Sequence, residues 1–277
     1  MAHVSQKVSA RLSTALRRFQ PIIASAKARD VGESDTVIIV TDLLSELFGY
    51  DKYAEITSET AIRGTYCDLA VKLDGAIQVL IEVKAIGLGL KDAHVKQAVD
   101  YAANQGTDWV VLTNGETWRV YKMTFAKPID AELVLEFSLS ELNSKKAADL
   151  EIVYRLTREG WIKSALGEFH TQQQALNRYF LGALVLSDPV LEVVRRELRR
   201  ISPDVRIDME QIKDVLLQSV LKREVVEGDK ADEARKKISK SSGRALRVRT
   251  SKPASLSTEP AEIQVDGEVS SLPGGDI

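Results

Sequence analysis

The 277-residue chain reads as an α/β protein: a mixed β-sheet flanked by helices, then an α-helical region and a disordered tail. Three observations predict this class. Tyr66 to Leu73 and Ile77 to Ala85 alternate apolar and polar residues and are joined by the turn pair Asp74-Gly75. A helix-spaced segment from about Lys91 to Asn104 then leads into the short apolar run Trp109 to Thr113, the order of a right-handed parallel crossover. From about Ala147 strand signals fade and helical spacing takes over. On this reading the chain divides into residues 1–146, 147–228 and a charged tail, 229–277.

Met1 to Lys27 forms an amphipathic helix with Arg11, Arg17 and Arg18 on its polar side. Asp35 is expected to cap a second helix over Thr36 to Phe48, where Val37, Val40, Leu44 and Leu47 recur at helical spacing and Gly49 follows. In the hairpin, Cys67, Leu69, Val71 and Leu73 share one side of the first strand; Ile77, Val79, Ile81 and Val83 share one side of the second. Only an odd loop keeps both sets on consistent faces, so the expectation is a three-residue loop, Asp74 to Ala76, with Leu69 opposite Ile81 and Asp68 opposite Glu82. A loop with Gly87 and Gly89 leads to the next helix, whose buried stripe is Val95, Ala98, Val99 and Ala102. Asn114-Gly115 predicts a type I′ turn into a strand over Thr117 to Met123, and Leu133 to Leu139 forms a further strand. Helices follow near 148–165, 170–187, 189–201 and 209–226. Asp188-Pro189 opens one of them, and Asp208 with Gln211 forms a capping box. Arg235 to Lys252 is rich in basic residues, and from about 240 onward the composition predicts disorder.

Composition excludes several classes. An apolar fraction of 44% supports a real core, and a net charge of −2 with a pI near 6.0 announces no global polyanion binder. Cys67 is the lone cysteine, so neither an intrachain disulfide nor a cysteine-based zinc site is available. His3, His94 and His170 form no ligand pair at helical spacing. No P-loop is present. No apolar run approaches the roughly 20 residues of a membrane span, so no membrane partner is expected and the cytoplasm is the default compartment.

Chemistry concentrates at Glu82-Val83-Lys84. Residues two apart on a strand share a face, roughly 6–7 Å apart, so Glu82 and Lys84 point into the same space. Asp68, opposite Glu82, adds a second carboxylate, and two facing acids on a central strand are costly unless paired or ligated. Mg²⁺ resolves that conflict, since it takes one or two protein carboxylates plus water and substrate phosphate. Asp68 and Glu82 are thus candidate metal ligands with the Val83 carbonyl between them, and Lys84 is the candidate catalytic lysine. Glu46 lies at the margin of its helix face, equally placed to reach the metal or solvent. Gln97 and Tyr101, spaced i, i+4, share one face of the following helix with His94 a turn earlier. Cys67, Trp109 and Trp118 read as packing residues.

Together these residues resemble the PD-(D/E)xK nuclease superfamily, and most closely the N-terminal nuclease domain of type I restriction enzyme R subunits. The resemblance covers about residues 30 to 125: the acid-bearing helix around Glu46, Asp68 in Tyr66-Cys67-Asp68-Leu69, Glu82-Val83-Lys84, Gln97-Ala98-Val99-Asp100-Tyr101, and Thr113-Asn114-Gly115 with Trp118 and Tyr121. It implies a restriction-endonuclease-like fold and Mg²⁺-dependent hydrolysis of DNA in restriction or defence. Asp68 and Glu82 become metal ligands, Lys84 the catalytic lysine, and Gln97 and Tyr101 auxiliary residues near the site. Those R subunits join the nuclease to an ATP-driven translocase. This chain has no motor motif, so a motor or specificity subunit acts in trans or the nuclease stands alone. Periodicity does not decide whether the 147–228 helices form a homodimer or position DNA. The alternatives to an enzyme are an inactive nuclease-fold module that binds nucleic acid or a partner subunit, and an adaptor built on the C-terminal helices.

Overall fold

A computed structural model describes residues 4–62, 65–126 and 129–250, which fall into two compact units, Met1–Ala175 and Leu176–Ile277. The first unit is built on a six-stranded mixed sheet in the order β1-β2-β3-β4-β5-β6. Its strands are β1 (Ile56–Ile62), β2 (Thr65–Leu73), β3 (Ala76–Val83), β4 (Trp109–Thr113), β5 (Thr117–Thr124) and β6 (Asp130–Ser138). Only β3 and β4 pair in parallel, through the expected crossover. The crossover helix is α3 (Asp92–Gln105). β3 therefore lies inside the sheet, where a charged side chain is most costly. β1 gives little sequence signal because it is an edge strand with few apolar residues, Ile-Thr-Ser-Glu-Thr-Ala-Ile.

The β2–β3 register is the expected one, reached by a different route. Leu69 pairs with Ile81 and Val71 with Val79, but Leu73 pairs with Ala76, and the register shifts between Val71 and Lys72. The turn is thus two residues long. Asp74 (φ 51°) and Gly75 (φ 77°) both take the left-handed region, as a type I′ turn requires. The odd residue sits in a β-bulge instead of in the loop, and the bulge restores the in–out pattern the buried faces demand. The second hairpin also differs from expectation. Of Asn114 and Gly115 only Gly115 takes positive φ (84°), so the pair does not form a type I′ turn, and Asn114 N–H donates to Thr117 O at 3.3 Å.

Helices cover the sheet. α1 (Gln6–Ala28) starts at Ser5, whose hydroxyl accepts from Val8 N, and buries Leu12, Leu16, Phe19 and Ile23. α2 runs Glu33–Asp42 from an N-cap at Gly32 and continues as a π turn over Leu43–Leu47, so Asp35 lies in the first turn and is not the cap. These helices, with Leu69, Val71, Ile81, Val83, Val111, Trp118 and Val120, form the larger core cluster. α3 lays Val95, Ala98 and Ala102 against Cys67, Ala70, Leu80, Val110, Leu112 and Tyr121 in the second cluster.

Helices begin at Ala147, and they divide between the two units. α4 (Ala147–Tyr154), α5 (Arg158–Ile162) and α6 (Ala165–Ala175) belong to the first unit. Leu150, Val153, Tyr154, Leu156, Ala165 and Leu166 are part of the larger core cluster. Arg11 on α1 holds Glu159 on α5 in a two-pronged pair, 2.7 Å on each prong, and Tyr50 Oη donates to Leu156 O at 2.9 Å. Two expected long helices are each broken: 148–165 into α4 and α5, and 170–187 into α6 and α7 (Arg178–Val185), whose N-cap Asn177 accepts from Phe180 N.

The second unit contains α7, α8 (Asp188–Ile201), α9 (Met209–Val215, continued as a π turn over Leu216–Val220), α10 (Arg223–Val226) and α11 (Asp229–Thr250). The Asp208–Gln211 capping box is present, and Ser187, not Asp188, is the N-cap of α8. Residues 229–250 are helical, whereas composition assigns them to a tail; the expected disorder of 251–277 lies outside the described residues. Among the described residues no helix is long and apolar enough to cross a membrane.

Candidate active site

The site forms where β3 ends beside β2. Val83 N–H donates to Asp68 Oδ2 at 2.7 Å, which fixes the Asp68 carboxylate against the neighbouring strand. Glu82 is 1% exposed. One of its oxygens, Oε1, accepts from Lys84 Nζ at 2.6 Å; the other, Oε2, is buried and has no hydrogen-bond partner among the described residues. Lys84 also lies 3.6 Å from Glu33 Oε1 on the first turn of α2. Asp68, Glu82 and Lys84 thus come together as the strand register predicts, with Glu33 as a third acid.

Electrostatics follow from this crowding. Burial pushes the Asp68 carboxyl above the ordinary aspartate range, although the Val83 N–H and Lys84 oppose the shift. Burial also raises Glu82; the bond from Lys84 opposes the rise and the Asp68 charge adds to it. Burial works against the charge on Lys84, but Glu82, Glu33 and Asp68 outweigh it and hold the ammonium above the ordinary lysine range. The lysine is therefore a cation at neutral pH, facing more acid than one cation can balance. Beneath the site, Cys67 is buried, and its thiol is pushed up to about 12, by desolvation first and the Glu82 charge second. It is an inert packing residue, as its sequence position suggests.

Other candidates are placed differently. Glu46, on the π turn after α2, pairs with Arg18 of α1. The helix acid beside Lys84 is instead Glu33, which precedes the helix start that periodicity places at Thr36. The available signal is an acid in the first turn, where a helix dipole favours one. Val83 enters through its N–H to Asp68. Gln97 and Tyr101 lie on α3, but their side chains fall outside the described residues. His94 closes the α3 N-terminus, its Nδ1 accepting from Lys91 N–H at 3.3 Å. Trp118 is a core residue, donating its indole N–H to Gly115 O at 3.2 Å.

The loop that follows Lys84 is held by buried polar groups. Lys84 N–H donates to Thr113 O at 2.8 Å, and Ile86 N–H donates to Thr36 Oγ1 at 3.1 Å. Asn114 Nδ2 donates to Ile86 O and Leu88 O at 3.3 and 2.9 Å. These hooks tie the lysine-bearing end of β3 to α2 and to the β4–β5 turn.

The donor set suits a hard divalent cation. It offers carboxylate oxygens, one of them buried and orphaned, and no thiolate or imidazole. Among the described residues no group of three or more His, Cys, Asp or Glu forms a ready-made metal cage. Two carboxylates beside an ammonium match the Mg²⁺ pattern, in which water and substrate complete the sphere.

Comparison with curated proteins and with solved structures yields no match. Residues 39–152, the segment that carries Glu46, Asp68, Glu82, Lys84, Gln97 and Tyr101, match the family described as type I restriction enzyme R protein N terminus.

Proposed function

We propose that this protein is a metal-dependent endonuclease that hydrolyses DNA phosphodiester bonds in a restriction system, with Asp68, Glu82 and Lys84 as its catalytic centre. The observation that carries the reading is the buried Oε2 of Glu82, without a partner among the described residues, beside Asp68 and Lys84. A buried ionised oxygen is costly unless it is paired or ligates a metal. Support for DNA as substrate and for a restriction role comes from the family match.

Asp68 and Glu82 would hold the cation, with the Val83 carbonyl as a further oxygen donor. When bound, Mg²⁺ supplies positive charge at the phosphate and lowers the pKa of water. Lys84 has three ammonium donors and gives one to Glu82 Oε1, so others remain for the attacking water or a phosphate oxygen. Its raised pKa keeps it charged when negative charge builds on the phosphate. The Val83 N–H holds Asp68 in place before substrate arrives. Glu33, near Lys84, helps to keep the ammonium at the site. Gln97 and Tyr101 are proposed to support the centre from α3, and Glu46 has its charge engaged by Arg18.

Incubation of the purified 277-residue chain with supercoiled plasmid and Mg²⁺ tests the proposal. Nicking or linearisation should require the metal, and Asp68→Ala or Lys84→Ala should each cost about 10²-fold or more. Equal trace activity in the wild type and both folded variants would overturn it. Calorimetry separates the binding-module alternative, which predicts DNA affinity with no Mg²⁺ uptake.

A further inference from the structure

Charge is divided unevenly along this chain. Residues 1–175 hold 20 lysines and arginines against 23 acids; residues 176–250 hold 17 against 12. The unit with the candidate active site is thus net acidic, and the site itself concentrates Asp68, Glu82 and Glu33 around one lysine. A polyanion gains little attraction there before a cation binds. The basic excess lies in residues 176–250, wholly outside the family match at 39–152; the second unit taken to residue 277 holds 18 lysines and arginines against 17 acids.

Within that unit the charge is ordered on α8. Val190, Leu191, Val194, Leu198 and Ile201 recur at helical spacing on one side, and Leu191 is buried. Arg195, Arg196, Arg199 and Arg200 fall at i, i+1, i+4 and i+5, an arc of about 140° at 3.6 residues per turn. Arg196, Arg199 and Arg200 are exposed and Arg195 half-buried. Arg196 and Arg200 share the single acid Glu197, at 3.4 and 2.9 Å. Arg199 reaches only the Ile207 carbonyl, at 3.2 Å, and among the described residues neither Arg195 nor Arg199 forms an ion pair. Arg195, Arg196 and Arg199 border a groove of about 400 Å³ together with Pro189 and Val193; Glu192 is the acid on its wall. Four guanidiniums that share one or two acids leave most of their donor capacity open. Arginine suits phosphate because its planar fork binds oxygen pairs.

We infer that the arginine face of α8 is a binding surface for the phosphate backbone of duplex DNA, supplying the affinity that the acidic nuclease unit lacks. The choice of DNA rests on the nuclease reading; the surface itself rests on charge and geometry. Phosphate-binding arginines of this kind carry no sequence information and position the duplex. They release counterions, so affinity falls with salt by a logarithmic slope of about 0.9 per phosphate neutralised.

Fluorescence anisotropy of a 30-base-pair labelled duplex, titrated with the 277-residue chain in EDTA across a salt series, tests the surface without cleavage. Arg195→Gln, Arg196→Gln, Arg199→Gln and Arg200→Gln combined should weaken binding at least tenfold and flatten the salt slope by about 0.9 for each phosphate no longer neutralised. The milder pair Arg196→Gln with Arg199→Gln, both exposed, should show a smaller shift in the same direction and guards against misfolding of the quadruple variant. An equal charge loss on exposed sites of the first unit, Lys7→Gln, Arg17→Gln, Arg29→Gln and Lys145→Gln, should change affinity less than threefold. The inference is overturned if wild type does not bind, if the α8 variants bind like wild type, or if the first-unit variant weakens equally. Tighter binding of double-stranded RNA of the same length overturns the choice of DNA. Plasmid cutting at saturating DNA reads the other proposal: an α8 variant that binds weakly but still cuts with Mg²⁺ supports both, and a chain that binds through α8 but never cuts removes only the nuclease reading.

Discussion

Asp68, Glu82 and Lys84 couple site chemistry to stability in different pH windows. Both carboxyls are raised mainly by burial. An acid whose folded pKa lies above its unfolded value stabilises the fold below the unfolded value, about 4, and that contribution is lost as pH rises through the folded value. The raised Lys84 contributes stability that is present at neutral pH and lost only above about 10.4. Without divalent metal, Asp68→Asn should therefore gain melting temperature relative to wild type as pH rises from about 4 to 7. Calorimetric scans at several pH values check this, and a difference that stays flat or reverses would show that Asp68 does not bear the desolvation cost. Asp68 and Lys84 are legible as site residues because strand alternation fixes which side chains share a face. Glu33 is not, because its approach to Lys84 depends on where α2 begins and how it packs.

Among elements, the end of β3 and its loop depend on polar hooks that no periodicity reveals. Asn114 is buried and satisfies two loop carbonyls while its own oxygen accepts from Glu116 N and Thr117 N at 3.1 and 2.7 Å. Asn114→Ala should cost about 2–3 kcal/mol by leaving those buried groups unpaired, and Thr36→Val about 1–2 kcal/mol by orphaning the Ile86 N–H. Urea denaturation of each variant measures both; losses below about 0.5 kcal/mol would mean the hooks are replaced by water. Asn114-Gly115 announces a turn correctly, but the bonds from Asn114 to the carbonyls of residues 86 and 88 depend on how a distant loop packs and are not legible in the pair. In the β2–β3 hairpin, the need for an odd residue is legible and its placement is not. Asp74-Gly75 satisfies a two-residue turn so well that the extra residue moves into a bulge.

For the whole molecule, the unit boundary makes a direct prediction. A fragment ending at 146 removes Leu150, Val153, Tyr154 and Leu156 from the main core, at about 1.5–3 kcal/mol for each large buried side chain. That sum is comparable to the full stability of an ordinary domain. Residues 1–175 should therefore unfold cooperatively as a separate fragment, and residues 1–146 should not fold. Comparable melting transitions for the two fragments would contradict the assignment of α4–α6 to the first unit.

The amino-acid pattern by itself determined the α/β class, the parallel crossover, the facing of Asp68 toward Glu82 and Lys84, and the helical character of the C-terminal half. All of these follow from periodicities of two and 3.6 residues, which are local properties. Tertiary structure decided that Glu33 approaches Lys84 while Glu46 pairs with Arg18, that a bulge carries the odd residue, that the boundary lies at 175, and that α8 gathers four arginines on an exposed face of a separate unit. Those outcomes depend on which distant surfaces meet, and one residue's neighbours in the chain do not encode where another element will pack.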